Sequence, residues 1–196
     1  MTNLMYIHGY GSTGKAVKAQ LMQEMFPSCT LLAPTFDYAR QSPQEVLQEL
    51  RRIIKSEHPA LILGSSTGGY FALCCTHFFD GPVWCLNPVR DILDTISRIF
   101  PQATGLPAET LADRKFEYEH FDREVFQTVS PHDRQLHFAL STDDELLGDH
   151  SPLLLRYPNH GTVVWKDHCG HRFLRFNELK VPLAATLQQE DSYSSQ

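Results

Sequence analysis

The sequence has no excess of positive charge. Its 17 Lys and Arg stand against 23 Asp and Glu, a net charge of −6 over 196 residues. Binding nucleic acid or an anionic membrane surface needs a basic face, and Arg51-Arg52, on an expected helix, is too short to make one. Long apolar runs are missing as well. No window approaches the ~18 residues of a membrane span. The apolar stretch Leu4 to Ile7 is too short for a signal-peptide core and has no basic residues before it. The expectation is a cytoplasmic protein with no nucleic-acid partner and no membrane span. Nor is there a disulfide or metal framework. The five cysteines are odd in number and form no C-x-x-C pair. Cys29, Cys74, Cys75 and Cys85 lie in apolar segments, where a reduced thiol packs as a small hydrophobe. Only Cys169 stands near histidines. Internal repeats and low-complexity segments are absent too.

What is present is an alternation of short apolar runs with helical spacings. The length suits a single domain, 1–196. Leu4 to His8, Thr30 to Ala33, Ala60 to Leu63, Val83 to Leu86, Leu136 to Leu140 and Thr162 to Trp165 read as six strands. Helices are expected over Lys15 to Phe26, Ser42 to Glu57, Thr67 to Phe79, Leu153 to Tyr157 and Asn177 to Gln188, the last with Pro182 as a possible kink. The second starts with a capping box, Ser42 and Glu45 around Pro43. Near-continuous apolar strands between helices imply a mainly parallel sheet covered on both faces, and such sheets bind ligands beyond the carboxyl ends of their strands. Residues 90–133 break the alternation with two amphipathic pieces around a Pro/Gly-containing linker. They read either as a crossover with extra helices or as a small helical cap inserted over a site.

The motif that carries chemistry is "LILGSSTGGYFAL", Leu61 to Leu73. A buried strand runs into Gly64-Ser65-Ser66-Thr67-Gly68 and a helix follows at once, which is G-x-S-x-G in a strand–turn–helix context. The nucleophile of such a turn sits on strained backbone with its hydroxyl above the sheet, and side chains two residues to either side would collide. The helix start then favours negative charge at the reaction centre. Ser66 is the candidate nucleophile, since Ser65 is flanked by Leu63 and Thr67 instead of glycines.

A serine hydroxyl needs a base, and the base needs an orienting carboxylate. In this architecture the order along the chain is serine, acid, histidine. Of the ten histidines, His168 and His171 in "KDHCGHRFL" follow the last strand. His171, after Gly170 and before the last helix, is the preferred base, with His168 the alternative. A zinc site made of His168, Cys169 and His171 has no second ligand cluster to support it. After the preceding strand come Asp143, Asp144 and Glu145. Asp144 is the preferred acid, Asp143 the alternative.

The first turn, "YIHGYGSTGKA", supports two readings. Gly9, Gly14 and Lys15 match a phosphate-cradling loop up to its last position, where Ala16 replaces the Ser or Thr that would hold Mg²⁺. Alternatively the loop supplies a backbone amide to an oxyanion hole, from Tyr10, with the second amide from Thr67. Only the second reading also accounts for the downstream serine, acid and histidine.

"YIHGYGST", "GSSTGGYFA", "NPVR" (Asn87 to Arg90), "TDDELL" and "GHRF" resemble the small YqiA-like bacterial esterases of the α/β-hydrolase superfamily. That resemblance implies an α/β-hydrolase fold with about six strands and a triad of Ser66, Asp144 and His171. It further implies hydrolysis of carboxylic esters, of short acyl chains, with acyl-CoA thioesters as another class. Two departures from that family stand out: the 90–133 region, and Cys169-Gly170 where Gly-Asn is more usual. The expected substrate is a small ester or thioester, with aromatic Phe36 and Tyr38 as pocket candidates and no metal or organic cofactor. Other Ser-His-Asp reactions (thioester, lactone or C–C bond hydrolysis) and a non-catalytic binding role remain open on sequence.

Overall fold

The computed structural model describes residues 1–98, 107–126 and 135–193. Six strands form one sheet in the order β2-β1-β3-β4-β5-β6, and every neighbouring pair is parallel. They are β1 (Asn3–Ile7), β2 (Thr30–Leu32), β3 (Leu61–Ser65), β4 (Val83–Leu86), β5 (Leu136–Ser141) and β6 (Val163–Lys166). All six apolar runs of the sequence are strands, shifted by a residue or two. Every residue of β3, β4 and β5 is buried, as expected of a sheet covered on both faces.

Period-two alternation divides the core. Met5, Ile7, Ile62, Cys85 and Phe138 face one side. There they meet α2 (Pro43–Glu57), α3 (Thr67–Cys75), α5 (Ala108–Val125) and Leu153 of α6 (Ser151–Arg156). Leu4, Tyr6, Leu63, Trp84 and Ala139 face the other, against α1 (Val17–Met25) and the chain leading into α7 (Lys180–Tyr193). The capping box of α2 is complete: Ser42 N donates to Glu45 Oε2 at 2.7 Å and Glu45 N to Ser42 Oγ at 3.2 Å. Two boundaries differ from the sequence reading. α3 stops at Cys75 rather than Phe79 and gives way to tight turns through Phe79. The last helix begins as a 3₁₀ turn, Phe176–Leu179, so Pro182 falls in the first turn of α7, where its missing N–H costs no hydrogen bond.

Of the 90–133 stretch, 99–106 and 127–134 lie outside the described residues. α4 (Ile92–Arg98) and α5 pack on each other. α5 buries Tyr118 and Phe121 in the main core, and its Asp122 accepts from the Tyr70 hydroxyl at 3.0 Å.

On β5, His137 stacks on Trp84 at 4.9 Å, and its Nδ1 accepts the Thr162 N–H at 2.9 Å. Burial, assisted by His160, pushes its imidazole down to about 4. The unfolded chain takes a proton near pH 6.5, the folded one only near pH 4, so stability is lost as pH falls through that window. Taking the protein from pH 7 to pH 5 should lower unfolding free energy through this residue by about 2 kcal/mol. Denaturant titrations at both pH values, on wild type and His137→Gln, check this. An equal pH dependence in the two proteins would show that His137 contributes nothing.

Candidate active site

Ser66 sits where β3 turns into α3, with φ 56° and ψ −120°. Such a conformation is strained for any residue with a side chain. It survives because its surroundings leave no other path. A Cβ on Gly64 would collide with the Gly68 carbonyl, and one on Gly68 with the carbonyls of Ile7 and His8. β1, β3 and the start of α3 therefore touch backbone to backbone, and the Ser66 hydroxyl is lifted above the carboxyl end of the sheet. Ser65 is buried and its side chain bonds to Tyr6.

The Ser66 hydroxyl meets His171: Nε2 lies 2.8 Å from Oγ. Nδ1 of the same ring lies 2.9 Å from Asp144 Oδ2 and 3.1 Å from Oδ1. His171 is 105 residues from Ser66 and 27 from Asp144 in sequence. The turns after β3, β5 and β6 bring the three together because parallel strands end on one edge. The Asp144 carboxylate is inaccessible to solvent. Burial works to raise its pKa. Hydrogen bonds from His150, His171 and the Leu147 amide outweigh that and hold it well below the usual carboxylate range. It stays ionised, so the ring carries its proton on Nδ1 and offers a bare Nε2 to the serine.

The other candidates lie differently. The His168 side chain is 91% exposed and its backbone is left-handed. Asp143 faces the histidine loop, where Oδ1 accepts the Cys169 and Gly170 amides at 3.1 and 3.2 Å. Cys169 is buried in the core, and burial pushes its thiol up, which leaves it a poor nucleophile. Among the described residues no group of three or more His, Cys, Asp or Glu side chains is placed to hold a metal.

Phe36 and Tyr38 lie beside the first loop rather than at Ser66. Both are buried and neither borders the Ser66 cleft. They pack around His8 beneath the first loop, with ring centroids at 6.2 and 5.2 Å. The Tyr38 hydroxyl donates to the His8 carbonyl at 2.7 Å, and the Phe36 N–H to His8 Nε2 at 2.9 Å. Both also line a second pocket, which shares Tyr10, Gly11 and Ser12 with the Ser66 cleft. His8 in turn turns Nδ1 to the Gly9 carbonyl at 2.8 Å, which also accepts from Ser12 N. A trans peptide plane sends its C=O and N–H in opposite directions. The Tyr10 N–H therefore points away from His8, on a loop whose Gly9 lies against the Ser66 side chain. In the same loop the Gly14 and Lys15 amides are bonded to Thr35 Oγ1 and Thr13 Oγ1. The match to a phosphate loop is thus met by local turn bonding.

Two groups at the site escaped the sequence reading. His150 is buried, with Nε2 at 3.0 Å from Asp144 Oδ2, so one carboxylate bridges two imidazoles. No sequence signal marks it beyond its place six residues after Asp144. Asn87, at the end of β4 with φ 39°, accepts the Ser141 N–H at 2.8 Å. Its Nδ2 lies 3.0 to 3.2 Å from Ser141 Oγ and the Gly170 and His171 carbonyls. The Asn-Pro pair stands in the NPVR motif of the family resemblance, but the partners of Asn87 are 54 and more residues away. Asn87→Ala would take the partner from the buried Ser141 N–H and from the His171 carbonyl, while Ser141 Oγ keeps its bond to the Gly170 carbonyl, and should destabilise the fold by about 2–3 kcal/mol, read as a lower denaturant midpoint. An unchanged midpoint would mean that Asn87 does not hold the histidine loop.

The cleft around Ser66 has a volume of about 620 Å³. Its walls come from the first loop (Gly9 to Ser12), Lys18 of α1, Val89, Thr95 of α4, Glu145 to Leu147, and His171-Arg172.

Comparison with known proteins agrees with this architecture. A family model described as Uncharacterised protein family (UPF0227) matches residues 3–187. Among solved structures, the chain is similar to the esterase domain of a Rhodothermus marinus protein. The two are 17% identical with a TM-score of 0.62, over 94% of this chain and 85% of that one. It is also similar to the monoacylglycerol lipase of Paleococcus ferrophilus, at 11% identity and TM-score 0.66 over 94% and 93%. A third is the mouse alpha/beta hydrolase domain-containing protein 10, at 14% identity and TM-score 0.66 over 95% and 90%. These likenesses establish the α/β-hydrolase fold.

Proposed function

The chain belongs to the UPF0227 family, and from the site it carries we propose that it is a serine hydrolase cleaving carboxylic esters of short acyl chains. The observation that carries this reading is the unbroken relay from Ser66 Oγ through His171 to Asp144, at 2.8 and 2.9 Å, on a strained strand–helix turn. Solved structures of similar fold that are named esterase and lipase support it.

Ser66 Oγ attacks the acyl carbonyl while His171 Nε2 takes its proton. Asp144 holds the ring in the required tautomer and stabilises the imidazolium. The Tyr10 and Thr67 amides receive the oxyanion: Thr67 opens α3, whose first N–H groups have no partners within the helix. His171 then protonates the departing alcohol, and a water deprotonated by His171 releases the acid. These steps use side chains, backbone amides and water. The cleft places Val89, Leu146 and Leu147 beside the nucleophile for a short aliphatic acyl group. Within the 90–133 stretch α4 serves as part of its cap, with Thr95 on the cleft wall.

A fluorophosphonate probe and a series of 4-nitrophenyl esters from acetate to octanoate test the reading. Covalent labelling and turnover highest for the shorter esters are the expected results. No labelling together with no turnover of any short-chain ester would overturn it. Labelling with turnover confined to thioesters or lactones would replace the substrate class.

A further inference from the structure

We infer that the substrate bears a free carboxylate, which Lys18 and Arg172 bind on the wall of the Ser66 cleft; this rests on the hydrolase reading above.

Lys18 is the second residue of α1, and its side chain borders the cleft beside Ser12 and Ser66. Three physical terms oppose a cation there. The side chain is largely withdrawn from water. It lies at a helix N-terminus, whose dipole favours negative charge. Its charged neighbour is Arg172, another cation on the same wall. Burial first, then Arg172, push the Lys18 ammonium down to about 8. Among the described residues neither Lys18 nor Arg172 makes a hydrogen bond or ion pair through its side chain. In a chain with more acidic than basic residues, ion-pair partners are not scarce. Arg40, Arg52, Arg98, Arg114, Arg123 and Arg175 each have a carboxylate within 3.1 Å. Lys18 and Arg172, the Lys and Arg that line the Ser66 cleft, have no such partner.

Charge balance narrows the ligand. Among the described residues the one carboxylate bordering the cleft is Glu145, whose Oε2 is engaged by the His171 N–H at 2.7 Å. Two cations against one anion leave the wall with one positive charge. A carboxylate, with one negative charge, neutralises it, whereas a phosphomonoester dianion overshoots. A guanidinium also presents paired donors that match a carboxylate. Bound there, the anion relieves the repulsion between the two cations and supplies the partner that burial of Lys18 demands.

Two matched substrate pairs test this. Mono-4-nitrophenyl glutarate is compared with 4-nitrophenyl pentanoate for a carboxylate on the acyl side. For one on the leaving group, 4-acetoxybenzoate is compared with 4-acetoxybenzamide. In at least one pair kcat/KM should favour the carboxylate ester by about tenfold or more. That ratio should fall toward one in Lys18→Met and in Arg172→Met, be largely restored in Lys18→Arg, and shrink in 0.5 M salt. Preference for the neutral ester in both pairs would overturn the inference while leaving the hydrolase reading intact. So would a ratio unchanged in both Met variants. Faster turnover of a phosphonoalkyl ester than of the carboxylate ester would overturn the carboxylate assignment. No turnover of any of these esters, with no fluorophosphonate labelling, would overturn the hydrolase reading and this inference together.

Discussion

Ser66→Ala should abolish fluorophosphonate labelling and lower ester turnover by about 10⁶-fold, leaving only the residual rate supplied by binding and the oxyanion amides. The fold should survive, because alanine removes one oxygen and its single hydrogen bond to His171. A companion variant separates catalysis from stability. The backbone at Ser66, φ 56° and ψ −120°, is open to glycine without strain. Ser66→Gly should be as inactive as Ser66→Ala yet unfold at higher denaturant, gaining about 1 kcal/mol. Such a gain would make the turn a place where stability is given up for geometry. If Ser66→Ala keeps more than a hundredth of wild-type turnover, the nucleophile is another group and the relay has been misread.

Asp144→Asn should cost about 10⁴-fold in kcat. The carboxylate accepts from His171 Nδ1, His150 Nε2 and the Leu146 and Leu147 amides. An asparagine has one carbonyl oxygen for these donors. With that oxygen kept by the two amides, its NH₂ faces both imidazoles. His171 must then accept at Nδ1, carry its proton on Nε2, and present a donor to Ser66 where a base is needed. Asp143→Asn is the control. Its Oδ1 bonds to the Cys169 and Gly170 amides can be reproduced by an amide oxygen, so kcat should fall by less than about tenfold. The reverse outcome, near-normal rates for Asp144→Asn and a collapse for Asp143→Asn, would move the acid to Asp143. Acidification bears on the same group. Its depressed pKa contributes stability that is present above the unfolded value near pH 4 and is lost below it.

Much of this molecule is legible along the chain, for a local reason. Each of the six strands is an apolar run bounded by its own turn residues, and burial on both sheet faces demands such a run. The Ser42 box can be read from three residues because the bonds that make it lie within one turn. The elbow is legible in the same way, since Gly64 and Gly68 answer a steric conflict inside five residues. Helix ends were less legible. α3 could have continued past Cys75 on its apolar pattern, and only the tight turns before β4 stop it. The aromatic pair after β2 has contacts that no local pattern shows. Phe36 and Tyr38 follow the end of β2, where a ligand wall is plausible, yet they close around His8.

By itself the sequence determined the alternating fold, the strained turn at Ser66, and the order in which serine, acid and histidine follow one another, because each is written in neighbouring residues. It offered His171 beside His168 and Asp144 beside Asp143, and preferred the first of each on position along the chain. Only the tertiary structure decided which histidine meets Ser66 and which aspartate meets that histidine, that His150 lies under Asp144, that Asn87 holds the histidine loop, and that Lys18 and Arg172 share a wall with Ser66. Those contacts join residues 6 to 154 positions apart. They exist because parallel strands end on one edge of the sheet, and no local pattern encodes which side chains will meet there.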